Sequence, residues 1–309
     1  MKTRLVLSGF TGLWHRDSAS VHVRENATAL TCSVGMLVFV GLSGCANTGD
    51  VSASATGAAS RVSAVNEPAV EVYSAGSLRD ALTEIARDHE ARTGQKIKLT
   101  FGASGLLRER IEKGEPAQVF ASADTAHPQR LANGGGWLAP TVFVRNVMCA
   151  LTSDQVNATP ASMLATLLDP QIRIGTSTPL ADPSGDYAWA LFRKADAVQP
   201  GAYAVLDAKA LKLVGGADSP QPPAGRGAYA WMMERRQADV FIVYCTNAFA
   251  SQKEMPPLKV VQMPPQLQVS AAYGVTVRTN APPAAIAFSQ ALLAAPAQAV
   301  FRRFGFGAP

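Results

Sequence analysis

Twice in this chain a strand-like run ends in a small-residue turn whose serine opens a helix. The first case is Ser74-Ala75-Gly76-Ser77-Leu78, and the second, 27 residues on, is Phe101-Gly102-Ala103-Ser104-Gly105. A third segment, Ala181-Asp182-Pro183-Ser184-Gly185-Asp186-Tyr187-Ala188, again sets Pro and Ser at a helix start. Repeated strand–turn–helix units restrict the chain to an α/β fold with parallel strands and right-handed crossovers. A helix N-terminus leaves backbone N–H groups unpaired and carries the positive end of the helix dipole. A serine there adds a hydroxyl donor, and glycines let a ligand approach the backbone. Singly, each serine reads as an ordinary N-cap. Several converging at strand ends would form an anion pocket that needs no Lys or Arg.

The pattern along the chain supports this reading. Val70 and Val72 open a strand that ends at Ser77, and Leu78, Leu82, Ile85 and His89 mark one face of a helix. Ile97, Leu99 and Phe101 alternate as a second strand, and Leu107 and Ile111 begin a helix that Gly114 stops. Val119-Phe120-Ala121 reads as a buried strand followed by Ser122-Ala123-Asp124, with Asp124 as a cap. A long strand over 142–151 leads into a second α/β unit. Its helices are expected at 162–168, from Ser184, at 202–211 and at 227–236, and its strands at 172–175 and 240–244. Residues 269–277 are strand-like again, and helices at 284–294 and 296–303 finish the chain. Ligands of open α/β sheets sit beyond the carboxyl ends of strands at a topological switch point. Ser77 and Ser104 would be neighbours there.

A length of 309 residues fits two lobes of roughly 100–150 residues each. Residues 29–42 are almost wholly apolar or small, which suits a secretory h-region better than a membrane span, and no other segment could cross a bilayer. Leu42-Ser43-Gly44-Cys45 follows and resembles the lipobox of bacterial lipoproteins. Residues 1–45 are therefore expected to be a lipoprotein signal peptide with Cys45 acylated. Residues 46–68, rich in Ala, Ser and Gly, read as a flexible tether from the membrane to the folded part. The net charge of +5 falls to about +3 without residues 1–45, and the basic residues are scattered, which argues against a nucleic-acid partner. Cys149 and Cys245 remain, in an oxidising compartment. A disulfide and two buried thiols both fit them, and a disulfide inside the second lobe is the expectation.

Catalytic readings fare poorly. A serine nucleophile needs a base, but His15 and His22 fall in the signal, His89 lies on a helix face, and His127 before Pro128 reads as a surface loop residue. Asp182 and Asp186 more simply favour a helix N-terminus. Gly134-Gly135-Gly136 has no P-loop lysine, and no His/Cys/carboxylate cluster has metal-ligand spacing.

These segments resemble the periplasmic molybdate-binding proteins of bacterial ABC importers. The resemblance rests on Ala75-Gly76-Ser77-Leu78-Arg79-Asp80-Ala81-Leu82, on Phe101-Gly102-Ala103-Ser104-Gly105, and on the run from Ile111 to Asp124. It continues through Asp182-Pro183-Ser184-Gly185-Asp186-Tyr187-Ala188, Ile242-Val243-Tyr244 and the Phe304-Gly305-Phe306 ending, so it covers residues 69–309. It implies a two-lobed periplasmic-binding-protein fold, each lobe a mostly parallel sheet flanked by helices, with a hinge of crossing strands. Lobe 1 is expected at 69–145 and 269–309, and lobe 2 at 146–268. The implied contacts to a tetrahedral oxyanion are the hydroxyls of Ser77 and Ser104, the helix-start amide of Ser184, an amide near Gly225, and the Tyr244 hydroxyl. Position 184 is Ser where relatives often have Ala, which adds a hydroxyl. The expected activity is binding without catalysis and without a cofactor. Molybdenum would be held as molybdate, or tungsten as tungstate, with no direct protein coordination of the metal. The expected partners are an ABC permease of the inner membrane and, through Cys45, the membrane itself; the expected state is a monomer. A buried dianion must be fully hydrogen-bonded, and a cage of donors alone rejects oxyanions that carry a proton. The alternatives are a binding protein for sulfate or thiosulfate, a ligand-sensing domain for a signalling partner, and, more remotely, a secreted serine hydrolase using Ser104.

Overall fold

The computed structural model describes residues 68–309. The expected signal peptide, its Cys45, and the tether up to residue 67 lie outside the described residues. Strand β1 (Val70–Ala75) ends in a short 3-10 turn, Gly76–Leu78, that leads into α1 (Arg79–Thr93). Leu78, Leu82, Ile85 and His89 are all buried, as their spacing predicts. Next come β2 (Ile97–Gly102), α2 (Ser104–Glu112), β3 (Val119–Ser122), α3 (Ala126–Asn133) and the long β4 (Thr141–Thr152). The following unit contains α4 (Met163–Leu168), β5 (Ile174–Ser177), α5 (Pro183–Val198), α6 (Ala202–Lys209) and β6 (Leu211–Val214). It continues through α7 (Ala228–Glu234), β7 (Val240–Tyr244), α8 (Cys245–Glu254) and β8 (Lys259–Gln262). Strand β9 (Ser270–Val277) and helices α9 (Pro283–Ala291) and α10 (Ala295–Arg303) close the chain.

The strand order is β2-β1-β3-β9-β4-β7-β5-β6, with β8 paired to β4. Each lobe has three parallel strands, β2-β1-β3 in one and β7-β5-β6 in the other. Strands β4, β8 and β9 pair antiparallel, so the sheet is mixed where the lobes meet. Ala75 lies opposite Gly102 in the β1–β2 register, which sets the two serine-bearing turns side by side. Strand β4 is the crossing element: residues 141–147 pair with β9, and residues 148–152 pair with β7. The chain end returns to this crossing. The Gly307 N–H donates to the Arg145 carbonyl at 2.8 Å, and the Phe306 ring packs edge-on against Tyr273 at 5.6 Å.

Elements α3, β6, α8 and β8 have weak sequence signatures. His127-Pro128 looks like a loop, yet proline is tolerated in the first turn of a helix, where its missing N–H costs nothing. His127 therefore lies in the first turn of α3 with its side chain mostly buried, which corrects its assignment to a surface loop. Strand β6 is four residues long and starts where a helix was expected to run on.

Cys149 on β4 and Cys245 at the start of α8 form a disulfide, with Cα atoms 4.8 Å apart and a sequence separation of 96. It ties the crossing strand to the turn that carries Tyr244. Closing so long a loop restricts the unfolded chain, an effect of about 2–5 kcal/mol for a native disulfide. The double variant Cys149→Ala/Cys245→Ala should lose stability of that order in denaturant titration. In unreduced, alkylated protein, the peptides carrying these two cysteines should be unlabelled.

Candidate functional site

Ser104 opens α2 and is fully buried. Its Oγ accepts the Ala123 N–H at 3.1 Å, which leaves its own proton free to donate. Tyr244 ends β7 in the other lobe, is 1% exposed, and donates its hydroxyl to the Ala123 carbonyl at 3.2 Å. One residue just past β3 is thus held from both lobes. Ser77 sits in the 3-10 turn after β1, half-buried, with its Oγ 2.9 Å from the Tyr273 hydroxyl. Asn146 on β4 donates its Nδ2 to that same hydroxyl at 3.2 Å and to Thr246 Oγ1 at 2.8 Å. The Tyr244 ring lies 5.4 Å from Tyr273 and 6.0 Å from Tyr187 of α5. Ser77, Ser104 and Tyr244 are therefore brought into one cluster with Tyr187, Tyr273 and Asn146. The last three were not singled out in the sequence. Only Tyr187 had a signal, one helical turn beyond Ser184.

The third helix start is differently engaged. Asp182 caps α5, accepting the Ser184 N–H at 3.1 Å on Oδ1 and the Ser177 hydroxyl at 2.6 Å on Oδ2. The Ser184 amide expected to face an anion is thus bonded to a carboxylate of its own helix. The Ser184 Oγ is buried and has no hydrogen-bond partner. Gly185 allows this turn to pack closely, since a Cβ there would lie 2.7 Å from the Ser177 carbonyl oxygen. Across the cleft, the Gly105 N–H of α2 donates to the Ala181 carbonyl at 2.8 Å. Gly225 lies apart from the cluster. It occupies an exposed turn at φ +80°, and its neighbours Arg226 and Gly227 both bond to Glu254 at the C-terminal end of α8. Nine residues of helix place Glu254 roughly 14 Å along the axis from the Tyr244 end.

Burial dominates the electrostatics. It raises the pKa of the Tyr244 and Tyr273 phenols well above the ordinary range and lifts Tyr187 to about 12. All three stay protonated donors at physiological pH. Burial also raises the carboxyl groups of Asp182 and Asp186. No histidine is hydrogen-bonded to Ser104 among the described residues, so no nucleophile–base pair is assembled there. The site sets hydroxyl groups close to backbone and carboxylate acceptors.

Residues 70–307 match the family described as bacterial extracellular solute-binding proteins. An uncharacterised protein of Pasteurella multocida is 34% identical over 211 residues, 68% of this chain and 87% of its own length. The molybdate-binding protein of Haemophilus influenzae is 29% identical over 192 residues, 60% of this chain and 69% of its own. Among solved structures, the periplasmic molybdate-binding protein of Azotobacter vinelandii superposes with a TM-score of 0.62 at 19% identity, covering 78% of this chain and 99% of its own. The sulfate-binding protein of Mycobacterium tuberculosis does so at 0.63 and 20% identity, covering 77% and 86%. These structural neighbours share the two-lobed binding-protein fold.

His127 adds a pH dependence to the site's edge. Its Nε2 is buried without a partner, 3.9 Å from Asp124 Oδ2. Burial lowers its pKa, outweighing the opposing pull of Asp124 and Asp186. A depressed histidine pKa contributes stability that is present above the unfolded value of about 6.5 and is lost as pH falls through the folded value. The melting temperature of the parent should therefore fall more between pH 7.5 and 5.5 than that of His127→Gln. Parallel curves would show that His127 does not titrate differently in the folded state.

Proposed function

The chain belongs to the family of bacterial extracellular solute-binding proteins, and we propose that its solute is a tetrahedral oxyanion, molybdate or tungstate, captured between the lobes for an ABC permease. The observation that carries this reading is the meeting of Ser104 and Tyr244 at Ala123, with Ser77 joined to the same cluster through Tyr273. Hydroxyls from both lobes meet on one residue there, and the phenols stay protonated and so place no negative charge beside an anion. The relatives from Haemophilus influenzae and Azotobacter vinelandii, both named as molybdate-binding, support the same choice. The Ser184 hydroxyl, buried without a partner, fits a further donor in this set. On this reading the protein works in the periplasm, anchored through Cys45, and performs no catalysis.

One observation favours a second reading. Asp182 and the Ala123 and Ala181 carbonyls put acceptors beside the donors. A cage of donors alone would reject an oxyanion that carries a proton, whereas this one could accept its O–H. Hydrogen phosphate thus joins sulfate and thiosulfate as a rival ligand, and the sulfate-binding neighbour shows that the fold itself does not choose.

Titration calorimetry with molybdate, tungstate, sulfate and phosphate separates the readings. Ser77→Ala and Ser104→Ala should each weaken molybdate binding by about 1.5–3 kcal/mol, roughly tenfold to a hundredfold, because each removes a hydrogen bond to a charged group. Tyr244→Phe, which deletes only the hydroxyl, should cost about 1–3 kcal/mol. Tight molybdate binding that all three variants leave unchanged would move the site elsewhere. Preference for phosphate would favour the second reading.

A further inference from the structure

We propose that the turn at residues 178–181 is a latch that closes the second lobe onto the first through backbone alone, and that Asp186 is the residue that positions it. The latch rests on closure between the lobes and not on which solute is bound.

The contact is the Gly105 N–H donating to the Ala181 carbonyl at 2.8 Å. Amides in the first turn of a helix have no partner within the helix, so α2 receives this cap from the opposite lobe. The approach requires glycine at 105. A Cβ there would sit 2.8 Å from the Ala181 carbonyl oxygen, 3.0 Å from the Ala181 Cα, and closer still to the Leu180 carbonyl oxygen.

Presenting Ala181 in this way bends the chain into an unfavourable shape. Leu180 has φ +68°, the left-handed region that a bulky side chain disfavours. Its side chain cannot compensate by packing, because Leu180 is 80% exposed. What holds it is Asp186: the Leu180 N–H donates to both oxygens of that carboxylate, at 3.1 and 3.2 Å. The turn is also tied down at its base, where Thr178 donates N–H and Oγ1 to the Val214 carbonyl and accepts the Asp182 N–H. The carboxylate therefore fixes the one strained residue, and the next carbonyl reaches across the cleft.

Hydrogen exchange on the full chain without any solute tests this directly. The Gly105 amide should be protected in the parent, although a first-turn amide facing water exchanges rapidly. In Asp186→Ala its exchange should accelerate by at least about tenfold, while amides of β1 and β7 keep their protection. Asp186→Asn, which retains one acceptor oxygen, should recover part of the difference. Gly105→Ala should give a larger radius of gyration in X-ray scattering than the parent, despite alanine's better helix propensity. Equal Gly105 exchange in the parent and Asp186→Ala, or a Gly105→Ala protein as compact as the parent, would overturn the latch. Should Asp186→Ala fail to fold, the parent's own Gly105 protection and the Gly105→Ala scattering decide. Failure to bind any oxyanion would refute the proposed function and leave this result untouched.

Discussion

The structure depends on the pair of hydrogen bonds at Ala123. Its N–H is taken by Ser104 from α2, and its carbonyl by Tyr244 from β7. Buried backbone groups must be paired, and here a single peptide segment is satisfied from both lobes at once. The parallel strands of the first lobe end at this point, and the disulfide at Cys245 fixes the turn that delivers Tyr244. The ordering of three tyrosine rings around the junction follows from their burial against one another.

Much of this was legible in the sequence because its signals are local. Alternating apolar residues announced β1 and β2, a short continuous apolar run announced β3, and the turns after β1 and β2 announced Ser77 and Ser104. The β1–β2 register then made the two serines neighbours, as an open α/β sheet requires. Less visible were partners supplied from distant strands. Asn146 and Tyr273 read only as members of strands, and it takes the crossing of β4 and β9 to bring them to Ser77. Helix α3 was hidden by His127-Pro128, which reads as a loop unless proline falls in the first helical turn. Gly225 shows a different difficulty. A glycine before a helix matches a motif in sequence, while the Arg226–Glu254 ion pair draws that turn to the far end of α8.

The helix starts also behave differently from the expectation of bare amides awaiting an anion. Asp182 caps α5 from within, and Ala181 caps α2 from across the cleft. Binding at either amide would exchange one hydrogen bond for another, so its net contribution is a difference between two bonds. Two of the hydroxyl donors carry no such debt, whereas Tyr244 would exchange its bond to the Ala123 carbonyl and Ser77 its bond with Tyr273. Ser104 uses its oxygen as acceptor and keeps its proton, and Ser184 Oγ has no partner to give up.

Molybdenum's anomalous scattering gives the most direct measurement. In crystals of the protein grown with molybdate, data collected at the molybdenum absorption edge should show one strong anomalous peak surrounded by Ser77 Oγ, Ser104 Oγ and Tyr244 Oη, each one Mo–O bond beyond hydrogen-bonding distance of the metal. A protein that binds molybdate in solution but shows its peak away from these three oxygens would contradict the assignment of the site.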